Sequence, residues 1–275
     1  MLKSLFFGGG ILEAVLESCK LYYSINVHEN PLTVPVLLLH GWGCDSTIFN
    51  NLSLALKAQT TVIAVDFPGH GKSDIPPVPW NVEQYASQIE ALMKFLKITT
   101  VNIVAHSFGG RVAIYLASKN NIHVEKLILT GAAGIKKEAS KEQVKRQKQF
   151  KTLKKMMNSI EKIPFCKTIA QKGQQFLINK YGSPDYRKLN EVMRKTFVNV
   201  INEDLTPLLP QLTCPTLLIW GENDTETPLW MGQKMESLIP DSALISFENR
   251  GHFAFLEETT RFQVITKEFF FGGNT

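Results

Sequence analysis

The residue types that together perform nucleophilic acyl chemistry stand at the ends of apolar runs. Ser107 lies in His106-Ser107-Phe108-Gly109-Gly110, where the β-branched run "VNIVAHS" (101–107) gives way to the helix-forming "RVAIYLASK". A strand that turns so sharply into a helix needs small residues on both sides of the central one, the G-x-S-x-G pattern. Ala105 takes the first small position here and Gly109 the second. Taken alone, the motif favours a nucleophile elbow, with a helix N-cap as the alternative. A serine hydroxyl is a weak nucleophile near neutral pH and needs a base, which in turn needs an orienting acid. Asp224 follows the last strong apolar run but one, in "WGENDTETP", and His252 follows Gly251 in "NRGHFAFLEE". Glu222 is the nearest rival to Asp224, two residues closer to the run, whereas "LILTGAAG" offers no carboxylate. Charge developing on a carbonyl oxygen wants two backbone N–H donors. The glycine-flanked "HGWGCD" (40–45) and the elbow itself supply candidates in Trp42 and Phe108.

These residues need a scaffold that gathers strand ends. Short aliphatic runs recur at 34–41, 61–69, 101–107, 125–132, 215–224 and 242–249. They are nearly continuous rather than alternating, as expected of a parallel sheet covered on both faces. Segments with apolar residues at helical spacing lie between them, including "VEQYASQIEALMKFLKI" and "PLWMGQKMESLI". Alternation of strand and helix predicts an α/β fold with a mostly parallel sheet and helices on both faces. "CKLYYSINVH" (19–28) is an additional strand at the sheet edge, and Gly8-Gly9-Gly10 belongs to a flexible terminus. From Ile135 to Pro210 the strand rhythm stops and the chain becomes helical and lysine-rich. Phe150, Leu153 and Met157 there share one helical face with Ile160. The expectation is a core from 1–134 and 211–275 with an inserted helical cap at 135–210.

Five segments in this order, "LLLHGWG" (37–43), "DFPGHGKSD" (66–74), "AHSFGGRVA" (105–113), "LLIWGENDTETP" (217–228) and "GHFAFLE" (251–257), resemble the α/β-hydrolase superfamily over nearly the whole chain. Serine, then aspartate, then histidine is also that superfamily's chain order, unlike the orders of chymotrypsin and subtilisin. The resemblance implies an α/β-hydrolase fold, with Ser107 as nucleophile, Asp224 as acid and His252 as base. It implies Trp42 and Phe108 as backbone oxyanion donors. The reaction expected is acyl-enzyme hydrolysis of small carboxylic esters without a cofactor. C–C hydrolases of meta-cleavage-type diketones, lactonases and thioesterases use the same parts. The C–C hydrolases typically carry tryptophan directly after the histidine, where this chain has Phe253. A ligand receptor or signalling module on the same fold is the non-enzyme alternative. His40, His106, Phe150, Leu153, Met157 and Phe253 are expected around the pocket.

Other signals exclude more than they assert. "GHGKS" fails as a phosphate-binding loop because Asp66 stands where the first glycine belongs. The histidines lack metal-ligand spacing, and Cys19, Cys44, Cys166 and Cys214 lack paired spacing, so no metal and no disulfide framework is expected. "MLKSLFFGGGILEAVLESCK" imitates the start of a signal peptide, but glycines and Glu13 interrupt it, and cytoplasmic localisation is expected. A net charge of +5 over 275 residues is too mild to argue for nucleic acid, and no run is long enough for membrane insertion. Between Lys136 and Lys155, nine Lys and Arg residues face only Glu138 and Glu142. This is a solvated helix face, or a means of steering an anionic substrate or of meeting an acidic membrane surface. The expected partner is therefore a small molecule, and the chain a monomer or homodimer. Arg111, four residues past Ser107, is expected in a structural ion pair.

Overall fold

The computed structural model describes residues 10–16, 19–30, 32–136, 141–161, 172–173, 175–177, 179–180 and 184–272. The strands are β1 (Gly10–Leu16), β2 (Cys19–Asn26), β3 (Val36–Leu39), β4 (Val62–Asp66), β5 (Thr100–His106), β6 (His123–Thr130), β7 (Thr216–Gly221) and β8 (Ser242–Phe247). The helices used below are α1 (Asn50–Leu56), α2 (Val82–Phe95), α3 (Phe108–Lys119), α4 (Lys141–Glu161), α5 (Glu191–Asn202), α6 (Leu229–Glu236) and α7 (Thr259–Phe271).

The strands form one eight-stranded sheet in the order β1-β2-β4-β3-β5-β6-β7-β8. From β4 to β8 all neighbours are parallel, while β1/β2 and β2/β4 are antiparallel. "CKLYYSINVH" is thus a strand but not the edge: β1 lies outside it, registered from Gly10↔Ile25 to Leu16↔Cys19. Gly10 opens that outer strand instead of belonging to a flexible terminus; Gly8 and Gly9 fall outside the described residues. The signal was weak because an edge strand buries one side only: Ala14 and Leu16 are buried, whereas Val15 is 78% exposed.

Period-2 alternation divides the strands between two cores. Leu37, Leu39, Ile63, Val65, Ile103, Ala105, Leu127 and Leu129 face α2, α3 and α6, meeting residues such as Ile89, Val112 and Met235. Val36, Leu38, Val62, Ala64, Val104 and Ile128 face the other way, toward Leu52 and Leu56 of α1 and Phe262 and Phe270 of α7. Each Val, Leu or Ile side chain so removed from water contributes about 1.5–3 kcal/mol. Two filled faces therefore fix the sheet that carries the strand ends.

The chain divides into two compact units, Met1–Lys136 with Asn199–Thr275, and Lys137–Val198. The second follows β6 in the chain and contains α4. Phe150, Leu153 and Met157 of α4 are half-buried, while Lys145, Lys148, Lys151 and Lys155 are exposed. In the first unit, Leu205, Leu209 and Leu212 join the larger core, and Leu205 N–H donates to Gly134 O at 2.9 Å.

Candidate active site

Chain direction places the site. β3 sits between β4 and β5, so the chain leaves β3 toward one side of the sheet and comes back on the other. Loops leaving the carboxyl ends of β3 and β5 flank such a switch point, where ligands bind in open α/β sheets. Those two loops are His40–Asp45 and the Ser107 turn.

Ser107 has φ 51° and ψ −111°, a left-handed conformation for a residue with a side chain. It stands at the N-cap position of α3, yet its hydroxyl makes no capping hydrogen bond, so the N-cap reading does not hold. Three backbone bonds hold the turn: Ser107 N–H to Thr130 O at 3.2 Å, Gly110 N–H to Ser107 O at 3.0 Å, and Ala133 N–H to Ser107 O at 2.9 Å. A Cβ at Gly109 would lie 2.2 Å from Leu39 O, so no side chain fits where α3 crosses the end of β3. The position of Ala105 is different. It lies inside β5 opposite Leu39 and Leu129 and packs into the larger core, where a methyl group is accommodated.

Asp224 and His252, 28 residues apart in the chain, meet in the fold. His252 Nδ1 lies 2.8 Å from Asp224 Oδ2, with the Asp224 side chain fully buried and that of His252 14% exposed. Asp224 Oδ1 accepts the N–H groups of Glu226 and Thr227, each at 2.9 Å. Burial pushes this carboxyl up. The hydrogen bond and charge of His252 and the donors of Thr227 outweigh it and hold the group below the usual carboxylate range. Glu222, the rival acid, is exposed. All three residues converge on the end of β6: Ser107 binds Thr130, and a Cβ on Gly131 would lie 3.2 Å from Asp224 Oδ2 and 3.3 Å from His252 Nδ1.

His40 is buried and pushed down to about 4 by loss of hydration, so it is neutral at working pH. Its Nε2 accepts Phe67 N–H at 2.9 Å, which leaves the proton on Nδ1 to be donated to Gly41 O at 2.7 Å. In a planar trans peptide the N–H points opposite the C=O. His40 therefore sets the direction of the Trp42 N–H across the same peptide. Asp66 ties this loop down by accepting Ser46 N–H at 2.8 Å and Lys72 N–H at 2.9 Å. The Trp42 ring packs edge-on against His70 and Phe108, with centroids at 4.7 and 5.3 Å.

His106 is buried with its ring 4.7 Å from that of His252, 4.9 Å from Phe253 and 4.8 Å from Phe255. Burial, aided by the neighbouring His252, pushes it down to about 3. Its Nδ1 donates to Thr130 O at 3.0 Å. Phe253 is 38% exposed beside both imidazoles. Of the other expected pocket residues, Phe150, Leu153 and Met157 belong to the second unit and are half-buried there. Arg111 is buried, and its Nη1 donates to Glu203 O at 2.7 Å, a structural contact made to a backbone carbonyl. Sequence reasoning gave no part to Thr227, whose hydroxyl stands three residues after Asp224 in "DTETP".

The sequence profile of the alpha/beta hydrolase family matches residues 36–262. The chain belongs to that family and is an enzyme of it. It is 29% identical over 247 residues to the pimeloyl-[acyl-carrier protein] methyl ester esterase of Neisseria meningitidis serogroup C, covering 85% of this chain and 92% of the relative. Among solved structures, an esterase (EaEST) from Exiguobacterium antarcticum superposes with a TM-score of 0.70 and 26% identity, covering 96% of this chain and 99% of that one. A meta-cleavage product hydrolase from Pseudomonas fluorescens IP01 (CumD) shares the fold at a TM-score of 0.70 and 22% identity, with 96% and 98% covered. Among the described residues, no helix is long and apolar enough to cross a membrane.

Proposed function

We propose that the protein hydrolyses small carboxylic esters through an acyl-enzyme on Ser107. The observation that carries this reading is the His252–Asp224 hydrogen bond of 2.8 Å beside a serine held in a left-handed strand-to-helix turn. His252 takes the hydroxyl proton as Ser107 Oγ attacks the carbonyl, and Asp224 keeps the imidazole in the tautomer that leaves Nε2 free to accept it. The backbone N–H groups of Trp42 and Phe108 stabilise the oxyanion, assisted by the positive N-terminal end of α3. The imidazolium then protonates the leaving alcohol, and water, deprotonated by His252, releases the acid and regenerates the serine.

Similarity to a methyl ester esterase and to a second esterase supports an ester substrate over the other chemistries of the fold. The inserted unit Lys137–Val198 takes the part of the cap segment in this reading. Exposed Lys145, Lys148, Lys151 and Lys155 on α4 favour an anionic ester. A fluorophosphonate probe tested beside p-nitrophenyl esters of rising chain length and a dienone decides the matter. Labelling that is lost in Ser107→Ala, with turnover on at least one ester, is expected. Turnover of the dienone alone points to C–C hydrolysis, and labelling without any turnover points to a receptor.

A further inference from the structure

Thr227 is buried, and its polar atoms are engaged around the acid–base pair. Its carbonyl accepts the indole N–H of the fully buried Trp220 at 2.7 Å, and its own N–H donates to Asp224 Oδ1 at 2.9 Å. The backbone is therefore fixed at both ends, and a β-branched side chain has few rotamers to explore. Its Oγ1 lies 2.8 Å from Gly131 O, 2.8 Å from Asp224 Oδ2 and 3.3 Å from His252 Nδ1. A hydroxyl has one proton to donate and lone pairs to accept with, so it serves only one of the two oxygens at a time.

We propose that Thr227 is a positioning residue of the acid–base pair, its hydroxyl turning between Asp224 Oδ2 and Gly131 O as His252 loses and gains its positive charge. With His252 neutral, the hydroxyl donates to Asp224 Oδ2 and supports the buried carboxylate. When the imidazolium forms, the carboxylate is satisfied by the stronger ionic bond. The hydroxyl then turns to Gly131 O and presents a lone pair toward Nδ1–H. No covalent bond breaks; only the O–H direction changes. The pair is thus held in one geometry in both charge states, which limits reorganisation during proton transfer. Besides Asp224, His106 is packed on His252, and it is buried and neutral.

This inference rests on the triad reading, and its test keeps the two apart. Wild type, Thr227→Val, Thr227→Ser and Thr227→Ala are compared by the pH profile of kcat/KM on whichever p-nitrophenyl ester the panel selects. Thermal melts and fluorophosphonate labelling of Ser107 run alongside. Thr227→Val keeps the shape and loses the hydroxyl. It is expected to lower plateau kcat/KM by roughly ten- to a hundredfold, because the pair is no longer held in one geometry through proton transfer. Its acid limb is expected to move, because the hydroxyl serves different partners in the two charge states of the pair. Thr227→Ser should restore both rate and limb to within a few-fold of wild type, and Thr227→Ala, a second hydroxyl-free variant should valine fail to fold, should shift the limb as valine does. A folded hydroxyl-free variant whose limb stays in place, or a serine variant that behaves like valine, overturns the proposal. Absence of labelling in the wild type overturns the triad reading instead.

Discussion

At Ser107, backbone conformation and chemistry are linked. A left-handed φ of 51° costs on the order of 1–3 kcal/mol in a residue with a side chain. It persists because Gly109 lets α3 lie against Leu39 O and because Thr130, Gly110 and Ala133 hold the turn. The serine's type and flanking residues were legible in the sequence, and so were Asp224 and His252 by chain order. Thr227 was not, because nothing in "DTETP" reveals that the hydroxyl folds back onto Gly131, nearly a hundred residues earlier. At Asp224, an amide in place of the carboxylate would offer His252 Nδ1 either a donor or a weaker neutral acceptor. Asp224→Asn is expected to lower kcat by on the order of 10⁴-fold through the wrong imidazole tautomer, with a nearly unchanged melting curve. A loss of less than tenfold would remove Asp224 from the role of acid.

Elements differ in how much of their position the sequence carries. The parallel strands β3, β4, β5 and β7 announced themselves because both faces are buried, so apolar residues run on with little interruption, whereas β8, at the sheet edge, is largely half-buried and was carried by its few aliphatic residues. β1 was missed because half its side chains face solvent, and β2 moved inward from the edge as a result. On α4, lysines at 145, 148 and 155 recur near helical spacing, with Lys151 alongside, and all four are exposed. Charges in water are screened over about 8 Å at physiological ionic strength. If α4 steers an anionic ester, kcat/KM for that ester falls with added salt, whereas kcat/KM for a neutral ester of the same acyl length stays constant. Parallel salt curves for the two esters would leave α4 as a solvated face.

For the whole molecule, three buried histidines couple folding to pH. Burial pushes His40 down to about 4 and His70 and His106 down to about 3, so each folds in its neutral form. In the unfolded chain each titrates near pH 6.5. Their contribution is therefore fully present above about pH 6.5 and is lost as pH falls toward the folded-state values, because the unfolded state binds protons that the folded state excludes. Melting temperature is expected to hold from about pH 8 to about pH 6.5 and then to decline steadily toward pH 4.5. Scanning calorimetry across that range is the check, and a flat profile below pH 6 would mean that these imidazoles are protonated within the fold.

The sequence alone determined the α/β alternation, the order of serine, aspartate and histidine, and the glycines around the turn and the loop after β3. These are local matters of side-chain size, periodicity and chain order. Only the tertiary structure decided that Asp224 and not Glu222 is turned inward, that Arg111 meets the carbonyl of Glu203, that His40 aims the Gly41–Trp42 peptide, and that the Thr227 hydroxyl lies against Asp224 and His252. Each depends on which loops the sheet order brings together. Hydrogen bonds between residues far apart in the chain are chosen by that packing, since a buried polar group must find a partner wherever the fold provides one.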